Sequence, residues 1–583
     1  MARTPTAPEP ASDAEIGDSD GRLLRVGGDR GLSLSERVAA RVSTSLYKTP
    51  LHRLRLRGRY PLKLLGVPED PVPGDGAIGE RIRAGRLIHA GHTAMTRDLD
   101  FRAAAPAAWR DWAHGWEWLR DIAGHAADHK DGAKLAEPLI ARWLADFGDY
   151  DPQAWRADVT GTRLLFALGH APLVLSSTDQ VYRSSVLSAL ATWARHLDRA
   201  AFRLPDGLPR ARALCGLYAA GLLIPGGEAR AAAALAALDR LLAVLVLPDG
   251  GIATRAPVDA LALAELLLFT AGTGPALGLR PPPLFADTLA RLVPSLRGLV
   301  LGDAMIGAWH GGAAIPAVPL ERLAKRTATG TALARAGRWS GYYRLSAGKT
   351  VLVIDAGPPP LARVAAGGHA GTLAFELSDG ADRVITNCGG ERGLATPLPG
   401  PLAAGLRTTA AHSTLTIADT NSTRIRDDGA LGLGVEEVTV QSRSSEQGQW
   451  LEASHDGYAK RFGLLVRRRL FLSPDGQDLR GEDVIEPAAK SPLKRRPERD
   501  FDIRFHLGPG VAATPTADGA GALLKLPQGR VWGMKARGGT VSIEPSLWID
   551  PAGTLHKTQQ LVITGRTDKA DASIGWSFKR AGK

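Results

Sequence analysis

Two histidines, His369 and His412, stand in the stretch of this chain whose residue types are least generic: GHAGTLAFELSDGADRVITNCGG from Gly368 to Gly390 and AHSTLTIADTNST from Ala411 to Thr423. Imidazole moves protons near neutral pH and ligates metals, so each histidine is a candidate for acid–base or metal chemistry. Around them Leu373, Phe375 and Leu377, then Val384 and Thr386, alternate with polar residues. That period of two predicts half-buried strands joined by a turn over Ser378 to Asp382, with both histidines at strand ends. Other chemistries lack their signatures. GDGAIGE has glycines but no following Lys-Ser, and there is no H-E-x-x-H, G-x-S-x-G or strand-to-helix G-x-G-x-x-G, which removes support for nucleotide and serine-hydrolase readings. Cys215 and Cys388 lie far apart in differently patterned regions, so a disulfide framework or cysteine zinc site is not expected.

The elements that must position these residues fall into two blocks. From about Ala104 to Leu301, eight segments carry apolar residues at spacings of three and four, separated by Gly, Pro or Asp. WRDWAHGWEWLRDIAG, PRARALCGLYAAGLLI and PVDALALAELLLFTAG are typical. They predict antiparallel helical neighbours with short connections. From about Gly337 the period becomes two, in fifteen short runs bounded by Gly, Asp or Pro, the pattern of a β-sandwich. A run of helices followed by a run of strands gives a multidomain α+β protein. The division expected is an arm over 1–60, a helical domain over 61–325 and a β-domain over 326–583, with the boundary between Gly311 and Gly337.

The chain has 583 residues and a net charge of +12. Residues 21–63 hold eleven Lys and Arg against Asp29 and Glu36, while residues 1–20 are acidic. The charge is therefore partly a property of the N-terminal arm, and no nucleic-acid-binding spacing accompanies it. Residues 1 to about 30, rich in Pro, Ala, Asp and Gly, are expected to be disordered. Leu34, Val38, Val42 and Leu46 then predict a short basic amphipathic helix, giving two alternatives: packing on the domain behind it, or peripheral contact with an anionic membrane surface. TPLHRLRLRGRYPLKLLGVPEDPVPGD is expected to be extended. No secretory h-region or run of 18 uncharged apolar residues is visible, so no transmembrane segment is expected.

GHAGTLAFEL, ITNCGG and AHSTLTIADT, together with VLPDGGIATRAPVDALALAELL, resemble the heparinase II/III-like family of polysaccharide lyases. The resemblance implies an N-terminal α/α toroid followed by a C-terminal antiparallel β-sandwich, with an acidic polysaccharide or oligosaccharide held between them. It also implies a cell-envelope or periplasmic location, the alternative being cytoplasmic. β-Elimination of a uronate removes a proton α to a carboxylate, which needs a positioned base and a group that neutralises the carboxylate. By the resemblance His369 is the catalytic histidine, six residues before Phe375. The tyrosine expected after PDGG is absent, with Pro257, Val258 and Asp259 there instead, and the Asn-His pair expected before the ARALCGL helix is replaced by Leu204-Pro205-Asp206-Gly207. The substitutes are Arg255 or Arg407 at the carboxylate and Tyr218 or Tyr182 from a helix, with His310, His412 and Asn387 as substrate-binding residues. Two of three zinc-ligand positions carry Gly371 and Asn387, leaving only His412. No metal and no other cofactor is therefore expected. The two functions in view are a lyase acting on an acidic glycan and a non-catalytic or altered-chemistry glycan-binding protein on the same scaffold.

Overall fold

The structure, a computed structural model, describes residues 22–25, 47–329, 336–360, 367–394, 396–489, 497–567 and 571–582. The expected amphipathic helix over 34–46 lies outside them. Of the stretch expected to be disordered, Arg22–Arg25 is a strand, paired antiparallel with the start of Glu437–Ser445.

All eight predicted helical segments are helical. Two are split: WRDWAHGWEWLRDIAG breaks into Ala107–Gly115 and Trp118–His125 at Trp116, whose φ is 57°. Arm and loop segments also hold helices that the apolar spacing did not announce. Pro50–Leu56 lies inside the expected arm and buries His52 and Leu56. Gly76–Arg83 is capped by Asp75, whose carboxylate accepts from the N–H groups of Ala77 and Ile78, satisfying donors that a helix start leaves open. Ala317–Arg326 closes the helical half.

Small residues in the sequence mark where helices touch. A Cβ on Gly161 would lie 2.4 Å from the carbonyl oxygen of Arg212, and one on Gly216 would lie 2.1 Å from that of Gly161. Ala157–Gly169 and Leu208–Leu223 therefore meet backbone to backbone. Tryptophans fill the space between other helices: Trp116, Trp118, Trp143, Trp155 and Trp193 are essentially buried.

The β-half is a sandwich of two antiparallel nine-stranded sheets. The sheet next to the helical half contains Gly337–Trp339, Tyr342–Ala347, Thr350–Asp355, Phe375–Asp379, Asp382–Thr386, Asp500–Leu507, Thr540–Ile549 and Leu555–Arg566, with Leu415–Ile417 paired on Asp500–Leu507. Phe375–Asp379 and Asp382–Thr386 are buried at every position, not half-buried as alternation suggested. Phe375 and Leu377 enter the sandwich core. On the opposite face, Ser378 accepts from the N–H of Gly302 at 2.9 Å, and Glu376 lies against Gly307. The polar half of the alternation is covered by the helical half rather than by water.

Candidate active site

The residues singled out by sequence converge where the two halves meet. Arg255 precedes the Pro257–Ala271 helix, His310 lies in the connection to Ala317–Arg326, and His369 and His412 lie in loops entering the inner sheet. Arg255 and His310 hold φ values of 54° and 44°, and Leu373 in the same region holds 67°. Non-glycine residues in this conformation store on the order of 1–3 kcal/mol each, so the surrounding bonds must hold them there.

Those bonds can be followed atom by atom. His412 Nδ1 lies 2.7 Å from the carbonyl of Thr408. A carbonyl only accepts, so Nδ1 carries the proton and Nε2 is bare. His412 Nε2 is 3.1 Å from His369 Nδ1, which must then be the donor. His369 is left with a lone pair on Nε2 and no partner there among the described residues. Its own backbone N–H donates to His310 Nδ1 at 3.4 Å, so His310 carries its proton on Nε2, 3.0 Å from Asp355 Oδ2. Asp355 Oδ1 accepts from Arg255 Nη2 at 2.5 Å. The result is one line of neutral imidazoles ending in an ion pair.

Burial dominates the electrostatics. It holds His369 well below the usual imidazole range, helped by His412, His310, Arg407 and Arg392, and it holds His412 at about 4. Burial alone would raise the Asp355 carboxyl, but Arg255 and His310 outweigh it and hold it below the usual range. His369 therefore offers a lone pair of low basicity and no proton on Nε2.

Two of the residues proposed as catalytic are engaged within the protein. Arg255 is 6% exposed. Its Nε donates to Ser340 O at 2.6 Å, Nη1 to Pro358 O at 2.7 Å and Gly357 O at 3.1 Å, and Nη2 to Asp355. Tyr342 lies under the guanidinium, 4.8 Å from its ring centre, and donates its hydroxyl to Arg255 O. Four of its five N–H groups are thus committed to buried acceptors within the protein, which holds the guanidinium in the junction. Tyr218 is buried in the helical core with its ring edge on Phe285, 5.6 Å between centres, and makes no bond to the histidine line. Tyr182 is likewise buried in that core.

Asn387, expected at the substrate, bonds within the β-domain. Its side chain donates to Glu376 at 3.3 Å and accepts from the N–H of Ser413 at 3.0 Å. Arg407 Nε and Nη2 both donate to Gly368 O, next to His369, and its Nη1 has no partner among the described residues. Arg392 was missed by sequence. It binds both carboxylate oxygens of Asp259 from Nη1, at 3.0 and 2.8 Å, and His310 O from Nη2 at 2.7 Å, tying the helical half to the sheet. Asp355 was missed too, although a lone acid closing the apolar run TVLVID was a usable signal.

Gly371 and His412 are packed tightly together. A Cβ on Gly371 would lie 2.6 Å from His412 Cδ2, so the imidazole fills the space a ligand side chain at 371 would need. Among the described residues no group of three or more His, Cys, Asp or Glu is placed to hold an ion. Gly371→Ala is expected to displace His412 from His369 and cost about 1–3 kcal/mol, read as a lowered urea midpoint at pH 7. An unchanged midpoint would contradict this packing.

Comparison with known proteins agrees with this architecture. Residues 329–577 match the family described as "Heparinase II/III-like, C-terminal". FtsZ-localized protein C of Caulobacter vibrioides (strain NA1000 / CB15N) is 30% identical over 579 residues, covering 95% of this chain and 97% of that protein. Among solved structures, heparinase III aligns with a TM-score of 0.69 at 13% identity, covering 93% of this chain and 89% of that one. The heparan sulfate lyase HepC from Pedobacter heparinus aligns with a TM-score of 0.62 at 14% identity, covering 94% and 88%. An α/α toroid followed by an antiparallel β-sandwich, with a relative matched across nearly its full length, places this chain in the heparinase II/III-like family.

Proposed function

We propose that this protein has kept the polysaccharide-lyase fold but not the elimination reaction, and works as a binding protein at an anionic surface. The observation that carries the reading is Arg255, one of the two cations expected at a uronate carboxylate, which is buried with four of its five N–H groups committed to the protein itself. The low basicity of His369 and the burial of Tyr218 support it. The alternative glycan-binding role rests with Arg407, which lies beside His369 and keeps Nη1 without a partner among the described residues.

A second observation supports a docking surface. Leu51, Leu54, Tyr60, Leu62, Leu65 and Val67 are 43–88% exposed within one short stretch. Arg55, Arg57, Arg59 and Lys63 stand between them, all exposed. Apolar side chains concentrated on a surface mark an interaction site, and alternation with cations suits anionic headgroups over an acyl layer. The likeness to an FtsZ-localized relative supports placing this docking where FtsZ assembles.

Sedimentation with anionic vesicles tests the docking. The triple variant Leu51→Glu, Leu54→Glu, Leu62→Glu is expected to lose at least about tenfold in binding, since burying a leucine contributes about 1.5–3 kcal/mol, with an unchanged circular dichroism spectrum. Equal binding by the variant would overturn the docking surface.

A further inference from the structure

Outside the domain junction, one groove is built unlike the rest of the surface. It is an open groove of about 610 Å³ along the Gln180–Ala200 helix beside the His129–Phe147 helix, with Tyr60 in its lining. That volume is in the range of small-molecule sites, about 300–1,000 Å³. Its lining contains no Lys, Arg, His, Asp or Glu, on a protein whose surface is otherwise strongly charged. Ser184, Ser188 and Thr192 recur every four residues and so share one helix face, with Ser185 beside them.

The hydroxyls differ in what they can offer. Ser185 Oγ donates to Val181 O at 2.9 Å and Thr192 Oγ1 to Ser188 O at 2.8 Å, so these two present lone pairs. Ser184 and Ser188 have no partner among the described residues and can donate as well as accept.

Trp193 adds an independent feature. It is 1% exposed. Arg163 lies over its ring at 4.3 Å from the centre, and Trp116 and Trp143 meet it edge-on. Its indole N–H has no partner among the described residues, yet it is not among the polar atoms sealed from solvent, as those of Trp109 and Trp116 are. Trp193 also lines the groove. Trp193 thus brings to the lining of the groove an unpartnered indole N–H that is not sealed from solvent.

We propose that this groove binds an uncharged saccharide. A pyranose ring has a polar rim for the serine hydroxyls, the Gln180 amide and the Trp193 N–H, and an apolar face for the exposed ring of Tyr60. Charged sugars would meet no counter-charge. Tyr60 also belongs to the docking stretch, so the saccharide is either free or the headgroup of a glycolipid at the docked surface. The groove requires neither the loss of elimination nor the membrane reading.

Titration of the full chain with uncharged and uronate-containing oligosaccharides, followed by calorimetry, tests this. Ser188→Leu fills the groove, and Tyr60→Ala, at an exposed position, removes the platform with little risk to folding. Saturable binding of an uncharged oligosaccharide, weakened at least about tenfold in both variants, is the expected result. Vesicles with and without a neutral glycolipid separate the two sources: tighter binding to glycolipid vesicles, lost in Ser188→Leu, assigns the headgroup. No binding of any uncharged saccharide in either form, binding indifferent to both variants, or a preference for uronates would overturn the proposal. Loss of vesicle binding in the leucine triple variant with saccharide binding intact leaves it standing.

Discussion

Lowering the pH from 7 to 5 is expected to bring the fold close to unfolding. Burial holds His89, His114 and His412 at about 4 and His196, His455 and His506 at about 3, below the ordinary 6.5. The unfolded chain binds these protons first, so the stability these groups contribute is fully present above about pH 6.5 and is lost as pH falls through the window down to their folded values. At pH 5 each neutral imidazole has cost about 2 kcal/mol, from 1.36 kcal/mol per unit. Six together cost on the order of 10 kcal/mol, against a typical total of about 5–15 kcal/mol. Buried carboxyls work the other way: burial raises Asp121 to about 6 and also raises Glu117, Glu265, Glu376 and Asp456, so acidification relieves about 1–2 kcal/mol at Asp121 and offsets part of the loss at the others. Urea midpoints taken between pH 7 and 5 should fall steeply, whereas a flat profile would mean that these imidazoles titrate normally.

Asp355→Ala is expected to cost about 3–5 kcal/mol at pH 7, the range for removing one partner of a buried ion pair. Asp355 is 2% exposed and holds Arg255 and His310, both in the left-handed region, from the end of Thr350–Asp355. Without it a buried guanidinium lacks its counter-charge and the His310 Nε2 proton lacks its acceptor. The effect should reach the junction as a whole, because Arg392 binds His310 O and Asp259 in the same layer. The double variant Arg255→Met, Asp355→Leu should recover most of the loss, since an apolar pair avoids the unpaired charge. A single-variant cost below about 1 kcal/mol, read from urea midpoints with wild type alongside, would show that the pair does not anchor the junction.

Much of this architecture was readable in the residues. Period-2 runs located the strands and apolar spacing the helices, because burial selects residue type at the scale of one element. What was not readable depends on which face meets which. Glu376 and Ser378 read as solvent-facing in a half-buried strand, yet their face is covered by the helical half. Pro50–Leu56 read as extended arm because its cations hide the two residues, His52 and Leu56, that pack. Among the candidate site residues, His369, His412, His310 and Arg255 lie together at the junction. Their residue types nevertheless suggested the opposite chemistry for Arg255, because a guanidinium turned inward and one facing a substrate have the same one-letter code. Tyr218 failed for a related reason: a tyrosine on an inner helix is as good a packing residue as a catalytic one, and Phe285 decides which.

The measurement that bears most directly on the central claim is ultraviolet absorbance of the purified full chain with a panel of acidic polysaccharides, followed with wild type and His369→Ala. Elimination creates a C4–C5 double bond conjugated to the uronate carboxylate and a rising signal. The account predicts no increase with either form on any substrate, with the polymers left at their original length. A steady increase with wild type that disappears in His369→Ala would contradict it and make His369 a working base.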